Sequence, residues 1–549
     1  MSQPTGRYRE AEPLTLAKGW SAERLTPPSR LFGANGLRTG ADGRIYVAQV
    51  VGSQISAIDL ETGDIEAISP KGGDIVAPDD LAFDSHGNLY ATEVMDARVS
   101  VRSRDGKTRV LRGDLPNANG ITVHKDRLFV NECRIGGRLL ELSLEAGAQR
   151  VLLEGIPMPN AMEVGPDGLL YFPVMAVGEI WRIKLEGGAC EKVAEGLIYP
   201  DSVKFDSKGF IVTTEAATGK VLRIDPKNGE KTVLAQLEPG LDNCTLVGDR
   251  IFASHFTGQI TEILPGGATR TLMPGGLCWP LDLSVSADGT LFIADGTHFY
   301  ARQPSGQVSG RRPSAGLPDG ELRTVGMMFS PGYPTNVRGV VESGSGEFIT
   351  TNTVGQVVRY RPEKMEQDVL AQGLDQQLYG VAISPRGAIV VAELGAGRVL
   401  SIRGDKVEEL AKGLREPMGV TFTPDGACLV SESRGGRVVK LNGVGSADTL
   451  VDGLKDPQGV LVHEGQLFVV DAGAKALVAF DLKSKTRTTI ASNLPVGTPA
   501  GVTAKPLRGI QPFSGPQGPF AGIAAGPDGT LYVSADAEGT VLAVRKSKA

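Results

Sequence analysis

Three observations predict an all-β chain folded as two six-bladed β-propellers in tandem. They are a composition dominated by turn residues, a hairpin unit of about 40 residues, and twelve copies of that unit with no helical period between them. Of 549 residues, 72 are Gly and 34 are Pro, far above the usual glycine share of about 7% and without a collagen period. Lys and Arg total 57 against 63 Asp and Glu, a net charge of −6, which argues against a basic nucleic-acid footprint. Hydrophobic residues at 41% and charged residues at 22% are ordinary globular values and exclude wholesale disorder.

The unit is visible when PDDLAFDSHGNLYATE from Pro78, PNAMEVGPDGLLYFPV from Pro159 and PDSVKFDSKGFIVTTE from Pro200 are aligned. Each is an alternating strand, a D-x-x-G or G-P-D-G turn and a second apolar strand, the pattern of a β-hairpin. Two more strand cues follow, so the unit has four strands and reads as a propeller blade; β-solenoid repeats are shorter. An anchor residue eight positions before each turn falls at Asn35, Asp79, Asn119, Asn160, Asp201 and Asp242, then at Leu281, Arg338, Tyr379, Met418, Gln458 and Ala521. Six and six is the natural division: an N-terminal segment over 1–30, a first propeller over 31–276 and a second over 277–549. Gly/Pro-rich insertions lengthen the second half at Arg302–Asn336 and Asn493–Phe520. The stretches Gly326–Thr335 and Gly509–Gly518 within them are expected to lie over the first propeller's mouth, making the second propeller a structural or lid domain. The last unit stops after its third strand. Glu12–Trp20 resembles the fourth-strand segment near Glu408, so the N-terminal segment is expected to close the last blade and remove an open edge.

The innermost strand of a blade lines the central channel, so the anchors form a ring. In the first half all six are Asn or Asp; in the second none is. Asn and Asp also favour strand starts after proline, where they cap turns, but the second half builds the same blade without them. A ring of carboxylates and amide oxygens suits a hard cation with six to eight oxygen ligands, calcium before zinc or copper. A second row, at the end of the second strand, reads Gln49, Glu93, Glu132, Val174, Glu215 and His255. Its acidic bias recurs in the second half, which assigns most of it to blade structure; Glu132 and Glu215 stay as candidates for substrate contact or ligand support. His255 reads first as a structural histidine and alternatively as a general base at the channel mouth.

Five scattered cysteines with no C-x-x-C pair oppose a disulfide framework or zinc site. With no secretory signal and no apolar run of spanning length, the expectation is a cytoplasmic chain without membrane or nucleic-acid partners. The oligomeric state is left open. No G-x-S-x-G, Walker loop, H-E-x-x-H or EF-hand loop occurs.

The runs NGLRTGADGRIYVAQ from Asn35, NGITVHKDRLFVNE from Asn119 and PDSVKFDSKGFIVTTE from Pro200 resemble the regucalcin/gluconolactonase/luciferin-regenerating family over roughly Leu31–Pro274. The resemblance implies a six-bladed propeller with one divalent metal, usually calcium, in the channel, and lactonase or esterase activity. It implies metal ligands at Asn119, at Asn160 (with Ala161 where the family has glycine) and at Asp201, the last also a proton acceptor. The family's glutamate ligand is replaced by Asn35, and Asp79 or Asp242 can supply the missing charge. The expected function is a divalent-metal-dependent hydrolase of a lactone or related ester, a small-molecule substrate. Asp201 or His255 accepts the proton, Asn119, Asn160, Asp201 and Asp242 hold the metal, and Asn35 and Asp79 support substrate or ligands. A metal-dependent lyase or isomerase acting through an enolate, and a non-catalytic binding scaffold, are the alternatives.

Overall fold

The computed structural model of the chain describes Arg7 and residues 13–304, 321–344, 346–443 and 445–547. Among them are twelve antiparallel sheets, each the four strands of one repeat in sequence order, except where the N-terminal segment contributes. Hairpin formation is local. Asp84 Oδ1 accepts bonds from the backbone N–H of His86 (3.0 Å) and Asn88 (2.8 Å), and Gly87 takes φ +81°, which a side chain resists. Asp206 and Gly209 repeat this device.

Two compact units result: residues 30–276 with 501–510, and residues 1–29 with 277–500 and 511–549. Each is a ring of six blades. In the first, the inner strand Leu241–Val247 packs beside Leu37–Thr39, and the Ser254 hydroxyl donates to the Asn35 carbonyl at 2.7 Å. In the second, Ile523–Ala525 packs beside Leu283–Val285, and Gly522 N–H reaches the Leu281 carbonyl at 3.1 Å. Apolar side chains fill each blade-to-blade interface; Phe129, Leu139, Met162, Leu170 and Phe172 form one such layer.

The N-terminal segment closes the last blade, one strand later than Glu12–Trp20. Trp20–Arg24 pairs with Thr540–Lys546 over five residues, while Thr15–Leu16 adds a fifth strand to the preceding blade by pairing with Ala491 and Ser492. Arg24 forks onto Glu538 at 2.7 and 2.8 Å. The Ser29 hydroxyl donates to the Leu277 carbonyl at 2.8 Å, so the chain leaves and rejoins the second unit at one point.

Both insertions carry segments bound to the second propeller. Part of the first, residues 305–320, lies outside the described residues. Its remainder, including Gly326–Thr335, is tied to its own propeller, with the Tyr333 hydroxyl donating to the Gly296 carbonyl at 2.8 Å. Gln511–Gly518 also binds the second propeller: Gly515 N–H donates to the Thr353 carbonyl at 3.0 Å, and the Pro516 carbonyl accepts from Arg338. Each loop is thus hydrogen-bonded to the rim that carries it. Gly501–Ile510 groups with the first propeller, where Lys505 faces Asp74 and Arg508 faces Asp96, each at 3.6 Å. No helix among the described residues is long and apolar enough to cross a membrane.

Candidate metal centre in the first propeller

The backbone at each anchor is irregular. Register shifts fall between Pro78 and Leu81, Ala118 and Ile121, and Leu241 and Cys244, as also at Val337 and Val340 in the second unit. A bulge re-aims the side chain it carries, and neighbouring inner strands lie very close there. A Cβ on Gly36 would sit 2.4 Å from the Asp79 carbonyl oxygen, and one on Gly120 would sit 2.4 Å from that of Asn160. Adjacent blades are laced by side chains onto anchor carbonyls: Thr92 onto Asn119 at 2.6 Å, Asn131 onto Asn160 at 2.6 Å and Thr214 onto Asp242 at 2.5 Å. The anchors are therefore rigidly placed by backbone geometry.

Asn35, Asp79, Asn119, Asn160, Asp201 and Asp242 are all buried except Asn35, which is partly so. Asn35 Nδ2 donates to Asp242 Oδ2 at 2.6 Å, and Asn160 Nδ2 donates to Asp201 Oδ1 at 2.7 Å. The Asp201 and Asp242 side chains interact directly, which favours the protonated form of Asp201 and the ionised form of Asp242. Burial, then the charges of Asp242 and Asp79, hold Asp201 well above the usual carboxylate range; burial, then Asp242 and Asp80, do the same for Asp79. Burial lifts Asp242 to about 7, against the bonds from Asn35 and Asp201. These acids resist ionising together. Asn119 Oδ1 is buried with no hydrogen-bond partner, a costly state for an amide oxygen.

Both features fit a hard cation, which would offset the repulsion among the acids and satisfy the amide oxygen. Among the described residues no group of three or more His, Cys, Asp or Glu is arranged to hold a metal by itself, so the Asn amides must take part.

Glu132, Glu215 and His255 have other tasks. The second row latches the loop that leads into each inner strand. Phe32 N–H donates to Gln49, Val76 N–H to Glu93 and Ile198 N–H to Glu215, at 2.8, 2.6 and 3.0 Å; Asp295, Glu393, Glu432 and Asp471 act likewise in the second unit. Glu132 is gripped by Arg134 and Arg138. His255 is the last blade's version: Nε2–H donates to the Pro239 carbonyl at 2.7 Å, and Nδ1 accepts from Thr257 N–H at 3.1 Å. Burial lowers its pKa to about 4, partly opposed by the Pro239 carbonyl. Both ring nitrogens of His255 are thus engaged by backbone groups, and the carboxylates of Glu132 and Glu215 by arginines and a backbone N–H respectively.

Sequence reasoning missed a ring three residues further along the inner strands. Arg38 Nη1 donates to Glu163 Oε2 at 2.7 Å, while Nε and Nη2 reach the Leu81 and Ile121 carbonyls at 2.7 and 2.9 Å. Lys204 Nζ lies 3.6 Å from the same carboxylate. Burial raises Glu163, but Arg38 and Lys204 outweigh it and hold the group below its ordinary value. Asp80, also missed, is buried and accepts from Leu81 N–H at 2.8 Å. The floor of the acid ring is thus an ion-paired layer.

The backbone before the anchors is unusual too. Gly33, Ala77, Asn117, Met158, Tyr199 and Gly240, each two residues before an anchor, all have positive φ. Four carry side chains, at roughly 1 kcal/mol or more each. Among the described counterparts in the second unit only Glu416 does this at the same place.

No curated protein matches the chain. Among solved structures it is similar to virginiamycin B lyase from Staphylococcus aureus with quinupristin (18% identity, 50% of this chain and 96% of that one, TM-score 0.37). It is also similar to the nidogen/laminin complex (20%, 42% and 93%, TM-score 0.38). A third likeness is to the extracellular domain of a hybrid two-component system from B. thetaiotaomicron (11%, 94% and 76%, TM-score 0.33). Residues 22–251 match the SMP-30/Gluconolactonase/LRE-like region, so the half that carries the Asn/Asp ring is similar to that family.

Proposed function

We propose that the first propeller hydrolyses a lactone or related ester at the Asn/Asp ring, with a divalent cation, calcium first, held by Asn119, Asn160, Asp201 and Asp242. The observation that carries this reading is the set of buried, mutually repelling Asp79, Asp201 and Asp242 beside the unpartnered Asn119 Oδ1, with the family match supporting it. A bound divalent cation supplies polarisation of the carbonyl and acidification of water. Asp201, oriented by Asn160 Nδ2 at 2.7 Å, accepts the proton of the attacking water. Asp242, fixed by Asn35 at 2.6 Å, balances charge. Buried side chains and the Arg38–Glu163 layer below keep bulk water from these acids.

The test is a panel of lactones and aryl esters assayed with calcium and with EDTA, with the reaction run in labelled water. Calcium-dependent turnover and one solvent oxygen per product are expected. Full activity after chelation rejects the metal reading, and product without solvent oxygen transfers the site to lyase or isomerase chemistry.

A further inference from the structure

Directly after the latch row, the first residue of each mouth-side loop is Val50, Val94, Cys133, Met175, Ala216 or Phe256. All six are apolar or weakly polar. Their counterparts in the second unit are Gly296, Thr353, Leu394, Ser433, Ala472 and Asp536, a mixed set, so blade construction does not require the apolar row. The row is held in place from the backbone. The N–H groups of Val94, Cys133, Met175, Ala216 and Phe256 donate at 2.9–3.2 Å to the carbonyls of Ala77, Asn117, Met158, Tyr199 and Gly240, the positive-φ residues before the anchors. Val50 N–H donates to Asn35 Oδ1 at 3.1 Å.

The row also touches the acid ring. Met175 Sδ lies 3.1 Å from Asn160 Nδ2 and 3.9 Å from Cys133 Sγ, on the neighbouring blade. Burial and the charges of Asp201, Asp79 and Asp242 push the Cys133 thiol up, which puts it in the field of all three acids. Five members are buried and Phe256 is partly exposed.

We infer that these residues form a specificity collar selecting substrates with an alkyl or aryl group beside the reacting carbonyl, and disfavouring polyhydroxylated lactones. This rests on the hydrolase reading of the ring. A polyol substrate would place several hydroxyls against side chains that offer no strong hydrogen-bonding group, and each hydroxyl stripped of water there is costly. An alkyl chain gains about 0.8 kcal/mol per buried methylene, close to a fourfold increase in kcat/KM for each.

The experiment uses the full chain with calcium and a series of γ-lactones of increasing alkyl length, with glucono-δ-lactone as the polyol arm. In parallel, binding of 2-alkylcyclopentanones, which cannot be hydrolysed, is measured by calorimetry. The expected result is a rise of about fourfold per methylene in both series, with the polyol poorest. Met175→Gln and Val94→Thr should flatten both slopes, and Met175→Leu should restore the first. Chain-length-dependent ketone binding without turnover of any lactone upholds the collar and overturns the hydrolase reading. Lactone turnover that favours the polyol, or is indifferent to chain length, overturns the collar and leaves the hydrolase reading standing. Slopes unchanged in both folded variants also overturn it.

Discussion

Where the first propeller sets Asp79, Asp201 and Asp242 around its channel, the second sets Leu281, Tyr379 and Met418, which pack with Phe520 into an apolar cluster. Its one charged anchor, Arg338, is nearly inaccessible. It donates to the Gln376 carbonyl at 2.8 Å, the Leu378 carbonyl at 3.3 Å and Pro516, and lies 4.6 Å from the centre of the Tyr379 ring. The second channel therefore has a cation of its own, covalently attached and supplied with carbonyls and a π-face. The first has a crowd of buried acids that resist ionising together and an amide oxygen with nothing to bind. One blade architecture supports both, so anchor chemistry is free to diverge while hairpins, bulges and latches stay fixed.

The largest expected effect is on the chemistry. Asp201→Asn should lower kcat by about a thousandfold, some 4 kcal/mol of barrier, while a substitution at Tyr379 leaves turnover per folded molecule unchanged. Equal losses from the two would erase the functional distinction between the channels.

Next in size is the apolar plug. Phe520→Ala should cost about 3–5 kcal/mol in the calorimetric transition of the second unit without altering turnover. A loss of activity at full stability would mean that the second channel takes part in the reaction.

A smaller effect concerns pH. Asp242 is raised from 3.8 to about 7 by burial, and Asp79 and Asp201 are also held well above the usual carboxylate range. Between those values the folded chain holds protons that the unfolded chain has released. Without cation, stability therefore falls as pH rises through the window and levels off above it. Asp282 in the second unit, lifted by burial to about 7 against bonds from Val340 and Leu283, contributes the same sign. His255, lowered to about 4, contributes the opposite sign below about 6.5. Calcium should rescue only the first propeller's share, so the calcium-induced rise in Tm should grow from about pH 5 to about pH 7.5. A rise independent of pH would exclude the acid ring as the binding site.

The smallest effect is conformational. Ala77→Gly should relieve a positive-φ residue and gain up to about 1 kcal/mol, whereas Gln377→Gly, at the unstrained counterpart, should lose about that much. Thermal midpoints moving in the same direction would deny that the strain belongs to the first mouth.

The blades were legible in the sequence because their signals are local: alternation, Asp-capped turns and glycine at positive φ. The anchor row was legible for the same reason. The Arg38, Glu163 and Lys204 layer was not, because strict strand alternation sends a residue three positions on to the opposite face, and the bulge at each anchor undoes that parity. The latch role of His255 and Glu215 was not legible, because their partners are backbone groups, which leave no mark in a residue pattern. Ala77, Met158 and Tyr199 carry no sign of left-handed backbone, since nothing but the fold imposes it. The closing strand was placed too early because Thr15–Leu16 and Trp20–Arg24 both read as outer strands, and only pairing with Ala491–Ser492 in one case and Thr540–Lys546 in the other separates them.

The bond from Ser29 to the Leu277 carbonyl gives residues 30–276 the character of a detachable cassette. Joining Ser29 to Leu277 by a short turn would leave every strand of the second ring with its partners, and the excised piece could be grafted into any host loop whose ends lie equally near.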